Sequence, residues 1–199
     1  MRYKLLAGTA AILIVLLSAG GARAQRTEAD VYVAQAILDF EDKQYAAALD
    51  NLRQALAFEP DNIDALYYSG VVHMAQDRPA EARPFLERAR AQAPTNLPVA
   101  FQLGLVYFAQ QLYDRAQPLL EEVFRRDPGQ DGLGYYVGFL RYRAKNYQGA
   151  LAAFRAGRAT DPEIQQLTRF YTGLALAALG MPAQAAAQVE EALRLAPSS

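Results

Sequence analysis

Along this chain, apolar residues gather into blocks of helical length that return at a fixed interval. The stretch "FQLGLVYFAQ", residues 101–110, reads as an apolar helix with a glycine at its centre. Glycine in a helix interior costs roughly 1 kcal/mol relative to alanine, because it gives up the most backbone freedom. The same feature recurs at Gly70 in "YYSGVVH", Gly138 in "YYVGFLR" and Gly173 in "FYTGLAL", at spacings of 34, 34 and 35 residues. Each of these glycines is followed by an alanine and, four residues later, by a larger apolar residue. The pairs are Ala82 with Leu86, Ala116 with Leu120, Ala150 with Phe154 and Ala185 with Val189. This spacing predicts a second helix in each block. The stretches "AQDRPA", "AQQLYD", "AKNYQG" and "ALGMPA" between the two helices carry turn-type residues. Pro79 and Pro182 suit the first turn of a second helix, where a missing N–H costs little. Pro60, Pro94, Pro128, Pro162 and Pro197 are expected to end second helices.

Aligned on the glycines, the blocks are residues 63–96, 97–130, 131–164 and 166–199, with one inserted residue near Gln165. A weaker copy, residues 29–62, has Ala36 at the glycine position, followed by Ala48, Leu52, Ala55 and Pro60. Residues 25–28 form a short linker ahead of it. Small residues at the glycine and alanine positions let two helix backbones approach closely, and the packing gained offsets the lost helix propensity.

This pattern resembles the tetratricopeptide repeat, a 34-residue unit with Leu-Gly, Tyr, Ala, Phe and Pro at fixed offsets. Departures occur at the tryptophan position, which holds Tyr32, Leu66, Ala100, Gly134 and Arg169. The tyrosine position is kept in Tyr107 and replaced by Asp39, His73, Arg141 and Leu176. The resemblance implies an all-α fold, a right-handed α-solenoid of helix-turn-helix repeats, in which stacking supplies the stability that one repeat lacks. In that family the first helices of successive repeats line a concave groove. Carried over, the fifth position reads Val33, Tyr67, Phe101, Tyr135 and Phe170. The ninth reads Ile37, Val71, Leu105, Phe139 and Leu174, and the twelfth Phe40, Met74, Phe108, Tyr142 and Ala177. An apolar, aromatic track of this kind suits a protein or peptide partner, extended or laid in as an amphipathic helix. The same residues equally serve packing between repeats, so both roles stand at this level. Fifth and ninth positions contain no lysine or asparagine, which excludes the carboxylate-clamp type of co-chaperone.

Composition narrows the classes further. With 52% hydrophobic and 21% charged residues, disorder does not describe the bulk of the chain. Absence of cysteine excludes disulfides, thiolate chemistry and a lipoprotein anchor, and a single histidine, His73, excludes a histidine-rich metal site. No acid/base pair, activated nucleophile, cofactor loop or metal-ligand cluster can be named, so the reading is non-enzymatic. "DGLGYYVG" follows no predicted strand and is not a phosphate loop. His73 is expected to be a hydrogen-bonded packing residue.

At the N-terminus, Arg2 and Lys4 precede an apolar run from Leu5 to Leu17, and "SAGGARA" ends in an A-x-A pattern at Ala24. Residues 1–24 have the parts of a secretory signal peptide, the alternative being an uncleaved membrane anchor facing the periplasm. Cleavage would remove Arg2, Lys4 and Arg23 and no acid, leaving 17 basic residues against 21 acidic ones, a net charge of about −4. That balance argues against nucleic-acid binding and fits an exported, periplasmic protein. A basic cluster, Arg141, Arg143, Lys145, Arg155 and Arg158, lies in a stretch with no acid between Asp131 and Asp161. It reads either as an anionic-partner patch or as a solvated helix face. Glu121 and Glu122 sit four residues before Arg125 and Arg126 and are expected to pair along one helix. In the last helix, Val189, Leu193 and Leu195 have no following helix to cover them. That leaves a natural end, a longer chain in which these repeats are the N-terminal periplasmic module of an outer-membrane or polysaccharide-export assembly, or a covering partner, a second copy of the chain included.

Overall fold

The computed structural model describes residues 28–195. The expected signal segment, most of the linker and Pro197 lie outside those residues. The chain divides into two compact units, one ending at Pro94 and the other beginning at Thr95. Among the described residues there are ten helices and no strand. The first unit holds α1 (28–41), α2 (Tyr45–Phe58), α3 (Ile63–Ala75) and α4 (Pro79–Gln92). The second holds α5 (Leu97–Ala109), α6 (Tyr113–Arg126), α7 (Leu133–Arg143), α8 (Tyr147–Ala156), α9 (Pro162–Ala178) and α10 (Pro182–Leu195). None of the described helices is long and apolar enough to cross a membrane.

Local chemistry starts these helices where they start. Asn62 Oδ1 accepts the Ala65 N–H at 2.9 Å ahead of α3, and Asn96 Oδ1 accepts the Val99 N–H at 3.1 Å ahead of α5. Each such cap is worth about 1 kcal/mol. The turns inside each pair share one device. Lys43, Asp77, Gln111, Lys145 and Gly180 all have φ between 56° and 76°, the left-handed region. Their spacings are 34, 34, 34 and 35 residues, so the same slot reverses the chain in every pair. Only the last is glycine, and the other four carry a conformational cost of roughly 1 kcal/mol that packing of the pair offsets.

The central glycines work as sockets. A Cβ on Gly104 would stand 2.6 Å from Leu120 Cδ2, and one on Gly173 2.8 Å from Val189 Cγ2. Leu86 fills the space beside Gly70 in the same way, and Phe154 the space beside Gly138. The sequence leads one to expect contact between helix backbones; at Gly70, Gly104 and Gly138 a side chain from the second helix occupies the gap instead, while at Gly173 the Val189 side chain is joined by the Ala185 carbonyl oxygen at 3.1 Å. Leu86 and Leu120 are fully buried there. Backbone meets backbone most closely between α7 and the residue after α8. A Cβ on Gly134 would lie 2.5 Å from Gly157 Cα and 2.8 Å from the Ala153 carbonyl oxygen. In the first unit, where Ala36 replaces the glycine, Ala29, Val33 and Ala36 of α1 join Ala48, Leu52 and Ala55 of α2 in one core with Ala65 and Val72 of α3.

Two features differ from the sequence reading. Pro162 does not close α8 but opens α9, because Asp161 Oδ1 accepts the Glu163 N–H at 2.7 Å and makes Asp161 the cap. Helix α8 has already ended at Ala156, before Gly157. It therefore has 10 residues where α4, α6 and α10 have 14, and α9 has 17 where α3 and α5 have 13. The last pair thus begins at Pro162, four residues ahead of the expected 166. Pro84 and Pro118, which the sequence reading left out, sit inside α4 and α6.

The socket makes a quantitative prediction. Gly104→Ala should lower stability by about 1–3 kcal/mol through overpacking against Leu120, despite alanine's better helix propensity. Combined with Leu120→Ala, the new methyl enters vacated space, so the double variant should lose less than the sum of the singles. A double-mutant cycle from urea unfolding reads this; strict additivity would show that the socket is not the contact that matters.

Candidate functional site

The expected groove residues of the second unit lie on its first helices: Phe101, Leu105 and Phe108 on α5, Tyr135, Phe139 and Tyr142 on α7, Phe170 and Leu174 on α9. Phe108, Tyr135, Phe139, Tyr142 and Phe170 belong to one network of nine rings. Phe108 stands at its centre, 4.9 Å from Tyr136, 5.1 Å from Phe139 and 5.4 Å from Tyr113 between centroids. Phe139 reaches Tyr171 at 5.0 Å, and Tyr171 touches Tyr142 at 5.6 Å and Phe170 at 5.5 Å. Tyr147 closes on Tyr142 at 5.5 Å. All of these pairs are edge-to-face or tilted, with interplanar angles from 44° to 85°. That geometry is the favoured one for aromatic pairs, worth about 0.5–1.5 kcal/mol each beyond burial.

Position within the network decides what each ring can do. Tyr135 is 8% exposed and is a packing residue. Phe101, Leu105, Phe108, Phe139, Tyr142 and Leu174 are half-buried, and Phe170 is 40% exposed. Arg143 adds a cation at the edge. Its guanidinium carbon lies 4.1 Å from the Tyr113 ring centroid and 6.0 Å from that of Phe139. In the first unit, Tyr67, Val71 and Met74 are half-buried on α3, with Tyr67 edge-on to Tyr68 at 5.2 Å.

Burial pushes the phenols of Tyr135, Tyr136 and Tyr171 above the ordinary value of 10. Neighbouring tyrosines add to the rise for Tyr135 and Tyr171, and Asp161 and Glu163 add to it for Tyr136. Among the described residues, no group of three or more His, Cys, Asp or Glu side chains could hold a metal ion. His73 stacks on Phe85 at 5.6 Å and 17°, and its buried Nδ1 has no hydrogen-bond partner. It is therefore a stacked packing residue whose Nδ1 lacks the hydrogen bond expected. Burial lowers its pKa from 6.5.

The family model of the tetratricopeptide repeat matches residues 39–104 and 73–132. Over residues 39–132 this chain belongs to the tetratricopeptide-repeat family. Among solved structures, a MamA mutant is 22% identical, with a TM-score of 0.71 over 85% of this chain and 98% of that one. A second MamA crystal form gives 22% identity and 0.68 over 87% and 99%. YrrB, a tetratricopeptide-repeat protein with an unusual peptide-binding site, is 20% identical with a TM-score of 0.70 over 84% and 86%. These likenesses show the fold, an all-α tandem of helix-turn-helix repeats. No curated protein matches the chain.

Within this tetratricopeptide array the basic cluster does not act as one unit. Arg141 is taken by the fold. Its Nε and Nη2 donate to the two Glu121 carboxylate oxygens at 2.8 and 2.7 Å, and Nη1 donates to the Gly149 carbonyl at 3.1 Å. The guanidinium also lies 5.2 Å from the Phe124 ring, so Arg141 ties α7 to both α6 and α8. Glu121 was expected to pair with Arg125; the two-pronged contact with Arg141 prevails, and Arg125 Nε meets only the Glu121 backbone carbonyl at 3.4 Å. Arg143, Lys145, Arg155 and Arg158 are exposed. On α10, Leu193 is 68% exposed, whereas Val189 is half-buried against Gly173.

The tyrosines that the sequence reading passed over are Tyr113, Tyr136, Tyr147 and Tyr171. Tyr113 and Tyr147 open α6 and α8 and stand 34 residues apart, which was the available signal.

Two outcomes test this partition. Arg141→Met should cost about 1–3 kcal/mol in unfolding free energy, since it strands a part-buried Glu121 carboxylate, while Arg143→Ala should cost about 0.5 kcal/mol. Raised phenol pKa values also mean that the folded chain keeps protons that the unfolded chain releases above pH 10. This stabilisation is whole below pH 10 and is lost as pH rises beyond it. Thermal melts at successive alkaline pH values, read with tyrosinate absorbance, should show melting temperature falling above pH 10 as the delayed phenols ionise.

Proposed function

We propose that this tetratricopeptide-repeat protein is an exported, non-enzymatic scaffold that binds an apolar peptide or protein segment on the aromatic face of its second unit. Its place would be the periplasm, supporting assembly of a cell-envelope or secretion complex. The observation that carries this reading is the outer edge of the ring network, where Phe170, Tyr142 and the Arg143 guanidinium stand on packed neighbours. Rings already held by other rings lose little freedom when a ligand lands on them, which favours binding. Aromatic and arginine side chains are also the residue types that dominate interface energetics. YrrB's peptide-binding site, on a similar fold, supports the same use. Export rests on the basic, apolar and A-x-A features of residues 1–24.

The test is capture in the source cell. A photo-crosslinking amino acid at Phe170 should capture a discrete protein, with Glu190 on α10 as the control position. Mass spectrometry of the captured species should also find the chain beginning at Gln25. Phe170→Ser combined with Arg143→Glu, both exposed, should weaken the captured partner's binding at least tenfold with the helical circular dichroism unchanged. Undiminished affinity in that variant would remove the aromatic edge as the working surface, and an intact residue 1–24 segment would remove cleavage.

A further inference from the structure

The early end of α8 leaves a cavity of about 750 Å3 between α8, α9 and α10. It opens where α8 stops: Phe154 and Arg155 line it from the helix, and Gly157, Arg158 and Ala159 from the extended segment that follows. Helix α9 presents a different face here from the one it gives the ring network. Ile164, Leu167 and Tyr171 pack toward Tyr135 and Phe154, while Gln165, Thr168, Arg169, Thr172 and Leu176 line the cavity. The space is of the size that binds ligands, about 300–1,000 Å3.

Its charge is one-sided. Arg155, Arg158 and Arg169 all stand in its wall and are exposed. Among the described residues none of the three forms an ion pair, and Arg169 Nη1 donates only to the neutral Gln188 Oε1 at 3.2 Å. One carboxylate, Glu191, shares the wall, and it is engaged by Arg194 at 3.4 Å. The remaining lining mixes aliphatic side chains (Leu151, Leu176, Leu195) with the amides of Gln184 and Gln188. A simple inorganic anion would leave the aliphatic surface unused, and an apolar ligand would leave three guanidinium groups without a counter-charge.

We propose that this cavity binds an acidic peptide segment, with carboxylates on Arg155, Arg158 and Arg169 and apolar side chains against Leu151, Leu176 and Leu195. Tyr135 of the ring network borders the cavity, but the exposed edge at Phe170 does not line it, and the site does not depend on that edge binding anything. Three charge-assisted contacts at a partly open cavity give binding that weakens as salt rises.

The experiment uses the full mature chain and a fluorescein-labelled peptide of alternating Leu and Glu, with alternating Leu and Lys as the charge control. Anisotropy should show saturable binding of the acidic peptide only, weakening with added salt. Combined Arg155→Ala, Arg158→Ala and Arg169→Ala should reduce affinity at least tenfold, while Arg143→Ala and Phe170→Ser leave it unchanged. Amide resonances of Thr168, Thr172 and Gln188 should shift on titration. Three results would each overturn the proposal: no saturable binding, equal binding of the basic peptide, or loss of binding in the Arg143→Ala variant instead of the arginine triple variant. Displacement by inorganic phosphate at concentrations equal to the peptide's would overturn the peptide assignment in favour of a simple anion site. Unchanged circular dichroism in the triple variant separates lost binding from lost folding. Failure here leaves capture at Phe170 untouched, so the two readings fall separately.

Discussion

Four of the five helix pairs among the described residues depend on a side chain entering the space of a missing one. Leu86, Leu120, Phe154 and Val189 fill the gaps beside Gly70, Gly104, Gly138 and Gly173, sixteen residues earlier in each case. Helix propensity argues against glycine at those points by roughly 1 kcal/mol, and burying a whole leucine gains about 1.5–3 kcal/mol. The contact therefore wins, and it also fixes how far along each helix its partner lies. Once that offset is set, the turn between them has one length, and one residue in it must take positive φ. That is why Asp77, Gln111, Lys145 and Gly180 share a conformation while sharing no chemistry; Lys43 takes it too in the first pair, where Ala36 stands at the glycine position.

Where the second unit breaks this regularity, it acquires its distinctive surfaces. The Gly134–Gly157 approach brings the start of α7 against the end of α8 with no side chain between them. Gly132 N–H donates to the Arg158 carbonyl at 2.8 Å, and Asp131 binds Thr160 through both its hydroxyl and its N–H. The segment after α8 is thus tied back toward the start of α7 instead of continuing as helix. Asp161 and Pro162 then start α9 a turn early. The shortened helix leaves the cavity, and the lengthened one brings Ile164 and Leu167 into the aromatic cluster. One local exchange of a turn between neighbouring helices accounts for both.

What could be read from the chain followed from how strongly each position restricts its residue. A socket admits only a small residue, so the period of Gly70, Gly104, Gly138 and Gly173 was visible and with it the helix pairs. The positive-φ slot tolerates lysine, aspartate and glutamine at modest cost, so it left no signature. Pro162 was misplaced because proline both closes and opens helices, and only the side-chain bond from Asp161 distinguishes the two. Glu121 and Arg141 are twenty residues apart, and nothing in their local pattern ranks that pair above Glu121 with Arg125. The aromatic face was half legible: the fifth, ninth and twelfth positions located Tyr135, Phe139 and Tyr142. Tyr113 and Tyr147, at the start of second helices, needed the three-dimensional pairing to be seen.

The ring network also bears on how a scaffold of stacked helices can hold a ligand without rebuilding itself. Nine rings packed mostly edge-to-face use their own surfaces to brace one another, so Tyr135, the buried member, belongs to packing. Phe170 at 40% exposure sits on Tyr171, which sits on Phe139. A ligand meeting Phe170 would therefore touch a side chain whose support runs through α9 into α7. Packing and binding are then not competing explanations for these aromatics. The packed rings hold the exposed one in place, and a face with its rotamers already fixed gives up less entropy on contact than a mobile surface would.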